Sequence, residues 1–78
     1  MTLRILTPTL NRTEEAEAVF LPGTAGAFEV LRGHAPLIST LSRGEIRWRT
    51  PGGQEESFAI ATGAVLIRDN VITICAEV

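Results

Sequence analysis

At 78 residues, with a formal net charge of −2 and a single cysteine, the chain has room for one small domain and none for a disulfide framework. Cys75 and His34 are too few to hold a structural zinc, and the absence of lysine removes a Walker-type phosphate loop, a Schiff-base enzyme and a lipoyl or biotinyl carrier. Four aromatics and an acidic balance argue against a nucleic-acid surface.

Taken in order, Met1-Thr2-Leu3-Arg4 leads into no apolar run, so no signal peptide is expected and the chain is placed on the cytoplasmic side. Leu3–Leu6 is a first candidate strand. Thr13-Glu14-Glu15-Ala16-Glu17-Ala18 is built of strong helix formers behind a possible threonine cap, and Pro22-Gly23 would stop a helix there. The competing expectation is a strand with Ala16, Ala18 and Phe20 on one face. Ala27–Leu31 and Leu37–Leu41 follow as strands, with Gly23, Gly26, Gly33 and Gly44 at the corners. Glu45 to Thr50, Pro51-Gly52-Gly53 and Gln54 to Ala61 form the clearest hairpin, because Ile46 and Trp48 alternate strictly with Glu45, Arg47 and Arg49. Asp69-Asn70 lies between Ala64–Arg68 and Val71–Ala76, and both residues tolerate positive φ, so a two-residue primed turn is expected. The longest uncharged run, Ser57 to Ile67, is too short to cross a bilayer. Short strands punctuated every eight to ten residues indicate a sandwich or barrel.

The last three strands carry a further signal. Phe58 and Ile60, Val65 and Ile67, and Ile72 and Ile74 define a bulky face that belongs to the core. The opposite face presents Ala59, Ala61, Ala64, Leu66, Val71 and Cys75, with Thr73 and Arg68 interrupting. A face that met only water would be polar, so a partner is expected to approach it closely.

Groups able to do chemistry are scarce. His34 has no orienting carboxylate or nucleophile at a useful spacing, so it is expected to be a structural or interface residue. Glu55 and Glu56 are strand neighbours that point to opposite faces and cannot act as one acid/base pair. Cys75 has no basic neighbour to lower its pKa and reads as a small hydrophobe. Pro22-Gly23-Thr24-Ala25-Gly26 has no lysine to serve a phosphate and is better explained by β-turns. No catalytic, metal or cofactor site is expected.

The segment LPGTAGAFEVLRGHAPLISTL, residues 21–41, closely resembles the signature of the epsilon subunit of rotary F-type ATP synthases. The likeness begins at Leu3-Arg4-Ile5-Leu6-Thr7-Pro8 and continues through Gly44, Arg49, Phe58-Ala59-Ile60, Gly63 and Asn70-Val71-Ile72-Thr73-Ile74, so it covers essentially the whole chain. The resemblance implies an all-β fold, a flattened two-sheet antiparallel β-sandwich of about eight to ten short strands. It also implies that residues 1–78 correspond to that family's N-terminal domain, and that Glu14–Leu21 is strand against its local propensity.

The function implied by the resemblance is that of a non-catalytic rotor subunit of the central stalk. Such a subunit binds the gamma subunit and the c-ring and couples rotation to ATP synthesis from the cytoplasmic face of the bacterial inner membrane, without inserting into it. By the same resemblance the gamma contacts are Gly33, His34, Ala35, Pro36 and Ser39, to which the alternation adds Ala61 and Leu66. The c-ring contacts are Gly26, Ala27, Phe28 and Glu29. The sequence stops at Ala76-Glu77-Val78, where the family's helical hairpin begins, so neither hairpin inhibition nor ATP binding is expected of these residues. Ala27 stands where an acidic residue is usual, Arg32 replaces the usual proline, and the stretch between Pro8 and Pro22 lacks the customary Phe-x-Gly-Glu-Val. A free-standing β-sandwich that binds a peptide or small ligand is the alternative.

Overall fold

A computed structural model describes all 78 residues, and it contains nine strands and no helix. They are β1 (Thr2–Thr7), β2 (Leu10–Glu15), β3 (Ala18–Leu21), β4 (Phe28–Leu31), β5 (Leu37–Leu41), β6 (Gly44–Arg49), β7 (Glu55–Ile60), β8 (Thr62–Arg68) and β9 (Val71–Glu77). One sheet has the order β2-β1-β9-β8-β5 and the other β4-β3-β6-β7. The two pack face to face in a body of 27 × 24 × 18 Å, the flattened sandwich that the family resemblance implied. Six of the seven strand pairings are antiparallel. The exception is β1 against β9, which run parallel from Thr2 opposite Val71 to Leu6 opposite Cys75. This pairing joins the two ends of the chain.

Period-two alternation builds the core. Leu3 and Ile5, Val65 and Ile67, and Ile72 and Ile74 face inward from the larger sheet. Val19 and Leu21, Val30, Ile46 and Trp48, and Ile60 meet them from the smaller one, with Phe28, Leu37 and Phe58 packed at the margin. The hairpin of β6 and β7 closes as expected: the Thr50 N–H donates to the Gln54 carbonyl at 2.8 Å, and the Gly53 N–H to the Thr50 carbonyl at 2.9 Å. Asp69 and Asn70 take φ values of 52° and 61°, both left-handed, as a primed turn requires.

The residues from Thr13 to Ala18 form no helix. A six-residue helix is too short to repay its nucleation, whereas β2 pairs with β1 along its whole length, from Thr2 opposite Glu15 to Thr7 opposite Leu10. Nor is Glu14–Leu21 one strand, because the chain changes sheets inside it. The Ala16 N–H donates to the Met1 carbonyl at 2.9 Å in the larger sheet, and the next amide, Glu17, donates to Arg49 at 2.8 Å in the smaller one. The change of sheet resets the alternation. Val19 and Leu21 therefore enter the core, and Phe20 turns outward beneath the Arg47 guanidinium, 5.1 Å from its ring centroid. Ala18 and Phe20 share one side of β3 as expected, and Ala16, held to the larger sheet, does not join them.

A second change of sheet corrects the picture of the last three strands. Only β8 and β9 are paired; β7 belongs to the smaller sheet beside β6. The chain crosses at Ala61, whose N–H donates to the Glu77 carbonyl at 2.7 Å. Ala59 thus lies on the outside of one sheet, while Ala64, Leu66, Val71 and Cys75 lie on the outside of the other.

Both open sides of the sandwich are closed by side chains or loop. On the β2/β7 side Arg12 reaches across the gap, with Nη2 donating to Glu56 Oε1 at 3.0 Å and Nε to Glu14 Oε2 at 3.2 Å. Its guanidinium lies 5.1 Å from the ring of the fully buried Trp48. On the β4/β5 side the loop from Pro22 to Ala27 straps the edge. The Ser42 N–H donates to Pro22 at 2.8 Å, the Thr24 N–H to Thr40 at 3.1 Å, and the two threonine hydroxyls are 2.7 Å apart. Within this strap Gly23 is packed so closely that a Cβ there would sit 2.6 Å from the Gly26 carbonyl and 2.8 Å from the Phe28 ring.

Candidate docking surface

The strand registers assemble the outer face of the larger sheet row by row. In one row Ile38 opposes Leu66, Leu66 opposes Thr73, and Thr73 opposes Arg4. In the next, Thr40 opposes Ala64, Ala64 opposes Cys75, and Cys75 opposes Leu6. Ile38 is 79% exposed and Leu66 44%, and together they form an apolar ridge at the β5/β8 side. Two open hollows flank it. One of about 460 Å³ is lined by Leu6, Pro8, Thr62, Gly63, Ala64 and Cys75, and one of about 240 Å³ by Leu66, Val71 and Thr73 beside Arg68 and Asp69. The small side chains of β8 and β9 leave this relief. The outer face of the smaller sheet is more charged, carrying Glu29, Glu45, Arg47, Arg49 and Glu55 beside the exposed Leu31 and the half-buried Phe20.

At one end of this face the corner after β4 is held against the β8–β9 turn. Gly33 adopts a φ of 83°, where a side chain would be strained, and its N–H donates to Asn70 Oδ1 at 2.7 Å. The His34 N–H donates to the Leu31 carbonyl at 3.1 Å, and its ring Nδ1–H to the Ala35 carbonyl at 2.7 Å. With Nδ1–H committed to Ala35, Nε2 is the ring nitrogen left free to meet a partner. Asn70 is the element that sequence reasoning missed here. Its side chain couples two turns 37 residues apart.

Of the residues expected at a gamma contact, Gly33, His34, Ala35 and Pro36 fall together on this corner, one strand step from the Ile38–Leu66 ridge. Ser39 does not face the same way. It opposes the buried Val65, on the inward side of β5, and its hydroxyl donates to the Thr40 carbonyl at 3.3 Å. The exposed neighbour is Ile38, which the reading of Leu37-Ile38-Ser39-Thr40-Leu41 passed over. Leu37 and Leu41 share the parity of Ser39 and take the core, which turns Ile38 out. Ala61 lies at the far end of the sheet, where the chain changes sheets.

The residues expected at a c-ring contact lie at that far end too, about 14 Å along β5 at roughly 3.4 Å per residue. They do not form one surface. Gly26, with a φ of 136°, and Ala27 are exposed on the strap, Phe28 packs on the core, and Glu29 projects from the outer face of the smaller sheet. No group of three or more histidine, cysteine or acidic side chains converges as metal ligands would. Glu55 and Glu56 diverge as expected, one toward Arg49 and the other toward Arg12.

The class that this architecture defines is a closed, antiparallel-rich β-sandwich with an apolar ridge exposed on the outer side of its larger sheet. Residues 1–78 fit the family model described as ATP synthase, Delta/Epsilon chain, beta-sandwich domain, and the chain belongs to that family. The ATP synthase epsilon chain of Desulfitobacterium hafniense is 46% identical over 77 residues, an alignment that covers 97% of this chain and 58% of the relative. That of Chlorobaculum tepidum is 38% identical over 77 residues, covering 97% of this chain and 88% of the relative. The chain thus spans little more than half of the first relative and most of the second. Among solved structures, a chain of the Euglena gracilis mitochondrial ATP synthase, solved as OSCP, F1 and c-ring, shares the fold with a TM-score of 0.87. Its sequence is 22% identical, and the match covers 95% of this chain and 48% of that one. A chain of the Tetrahymena thermophila central stalk and c-ring matches with a TM-score of 0.84 at 14% identity, over 100% of this chain and 63% of that one.

Proposed function

We propose that this chain is a non-catalytic rotor component of an F-type ATP synthase, peripheral to the cytoplasmic face of a bacterial inner membrane. It holds the gamma subunit on the outer face of the larger sheet and on the Gly33–Pro36 corner. It rests on the c-ring through the strap bearing Gly26 and Ala27, so that the two turn together and ion-driven rotation is coupled to ATP synthesis. The observation that carries this is the apolar outer face of β5, β8, β9 and β1, continuous with the corner at one end and with the strap at the other. Burial of such a face supplies association energy at ~25 cal/mol per Å² of apolar area. A rigid sandwich closed on both sides suits a part that transmits torque by shape. Support comes also from the relatives, named as ATP synthase epsilon chains, and from structural neighbours found in central-stalk assemblies.

Thermal melting of the chain with and without purified gamma tests the proposal. A partner that binds only the folded form raises the midpoint, by an amount that grows with the logarithm of its concentration once it is in excess of its Kd. A midpoint indifferent to gamma, with the chain remaining monomeric beside it, would sink the rotor assignment and leave the free-standing binding module in its place.

A further inference from the structure

On the outer face of the larger sheet the apolar ridge and arginine side chains lie side by side. Beside the Ile38–Leu66 ridge lie arginines that the chain itself leaves largely unmatched. Arg4 stands two strands from Leu66, across Thr73, and it forms no ion pair within the chain. Arg68 stands opposite Val71 in the neighbouring row, with only the exposed Asp69 at 3.4 Å. The one further carboxylate on this half of the face, Glu15, is engaged by the Thr2 hydroxyl at 3.0 Å and lies 3.7 Å from the N-terminal ammonium. In a chain of net charge −2 this is a local reversal of sign.

Geometry ties the two features together. Strands lie roughly 4.8 Å apart, so Leu66 and Arg4 are separated by about 10 Å, the width of one helix with its side chains. A segment seated on Ile38 and Leu66 brings one margin alongside Arg4, three strands and about 14 Å from Ile38. A wholly apolar margin there would crowd water from that guanidinium and give nothing back, a cost that selects against it.

We infer that the partner segment received by this face is an apolar strip with carboxylates along one margin, the strip covering Ile38 and Leu66 while the carboxylates meet Arg4 and Arg68. This rests on the gamma assignment above and specifies the chemistry of the gamma surface that docks. Charges at the margin of an interface act chiefly on the association rate and its salt dependence, whereas the apolar centre sets how long the complex lasts.

The test is binding of purified gamma to the full chain at low and at high salt. For the wild type, affinity falls as salt rises. Arg4→Glu weakens binding about tenfold at low salt, mostly through the association rate, and flattens the salt dependence. Arg4→Gln falls between the two, and circular dichroism confirms that both variants keep the fold. Ile38→Asp abolishes binding at both salt levels, and Arg47→Glu, on the opposite outer face, changes nothing. Salt-independent binding by the wild type, or an Arg4→Glu variant that binds like the wild type, would overturn the acidic margin and leave gamma as the partner. A wild-type chain that does not bind gamma at all would remove both.

Discussion

Arg12 shows how one side chain can close a fold. It projects from the inward side of an edge strand, opposite Ile5, where a hydrophobe would be expected to continue the core. Instead its aliphatic stem and guanidinium cover Trp48, and its nitrogens reach a carboxylate in each sheet. An inward-pointing charge on an edge strand also discourages pairing with another chain. The Arg12 and Glu56 side chains are about one-third exposed, so screening keeps the ion pairs modest and packing on the indole matters as much. Arg12→Ala is expected to cost about 2 kcal/mol in urea unfolding. It should also shift the emission of the single tryptophan to the red, while Arg12→Met, which keeps the stem, recovers about half of the loss. Equal stability in all three proteins would show that the clasp contributes nothing.

At the level of the element, the turn between β8 and β9 does more than reverse the chain. Asn70 supplies a left-handed backbone conformation and also the acceptor for the Gly33 N–H. The two roles separate by substitution. Asn70→Ala loses both, about 2 kcal/mol from left-handed strain together with a lost hydrogen bond. Asn70→Gly relieves the strain and forfeits only the bond, about 1 kcal/mol. Amide hydrogen exchange at Gly33 should quicken in both variants, and an unchanged rate would mean that the corner holds its shape without the turn. The two sheet-switching segments, Ala16–Glu17 and Ala61, have the same local character. Each is defined by a backbone bond to a distant strand, which is why the helix formers around Ala16 end as strand.

Across the whole molecule, the balance of buried and exposed apolar surface sets what this chain can do alone. A domain of this size buries only roughly 60% of the surface its unfolded chain exposes, and some of its larger side chains are spent outside the core. Ile38 contributes little to the isolated fold. Ile38→Ser should leave the melting temperature of the free chain within the scatter expected of a surface change, about 0.5 kcal/mol, while lowering the stabilisation gained on adding gamma. If Ile38→Ser instead destabilised the free chain strongly, the ridge would belong to the core and not to a docking surface.

Much of this was legible in the sequence because β-structure writes itself locally. Strict alternation marked the inward residues of β6, β8 and β9, the Asp69-Asn70 pair announced its turn, and the surplus of apolar residues near the C-terminus pointed to a partner. Alternation states only which residues share a side of their own strand. It does not say to which of two sheets a strand belongs, since both sheets obey the same period. That was decided by backbone bonds between residues far apart, Met1 with Ala16, Glu17 with Arg49, and Ala61 with Glu77. Those bonds split Glu14–Leu21 in two and moved β7 away from β8, and the pairing of β5 with β8 set Ile38 beside Leu66 on one exposed face. Composition and alternation therefore determined that there would be a sandwich or a barrel with apolar surface to spare, and the family resemblance chose the sandwich. Where that surface would be continuous enough to dock depended on strand order, which only the folded chain fixes.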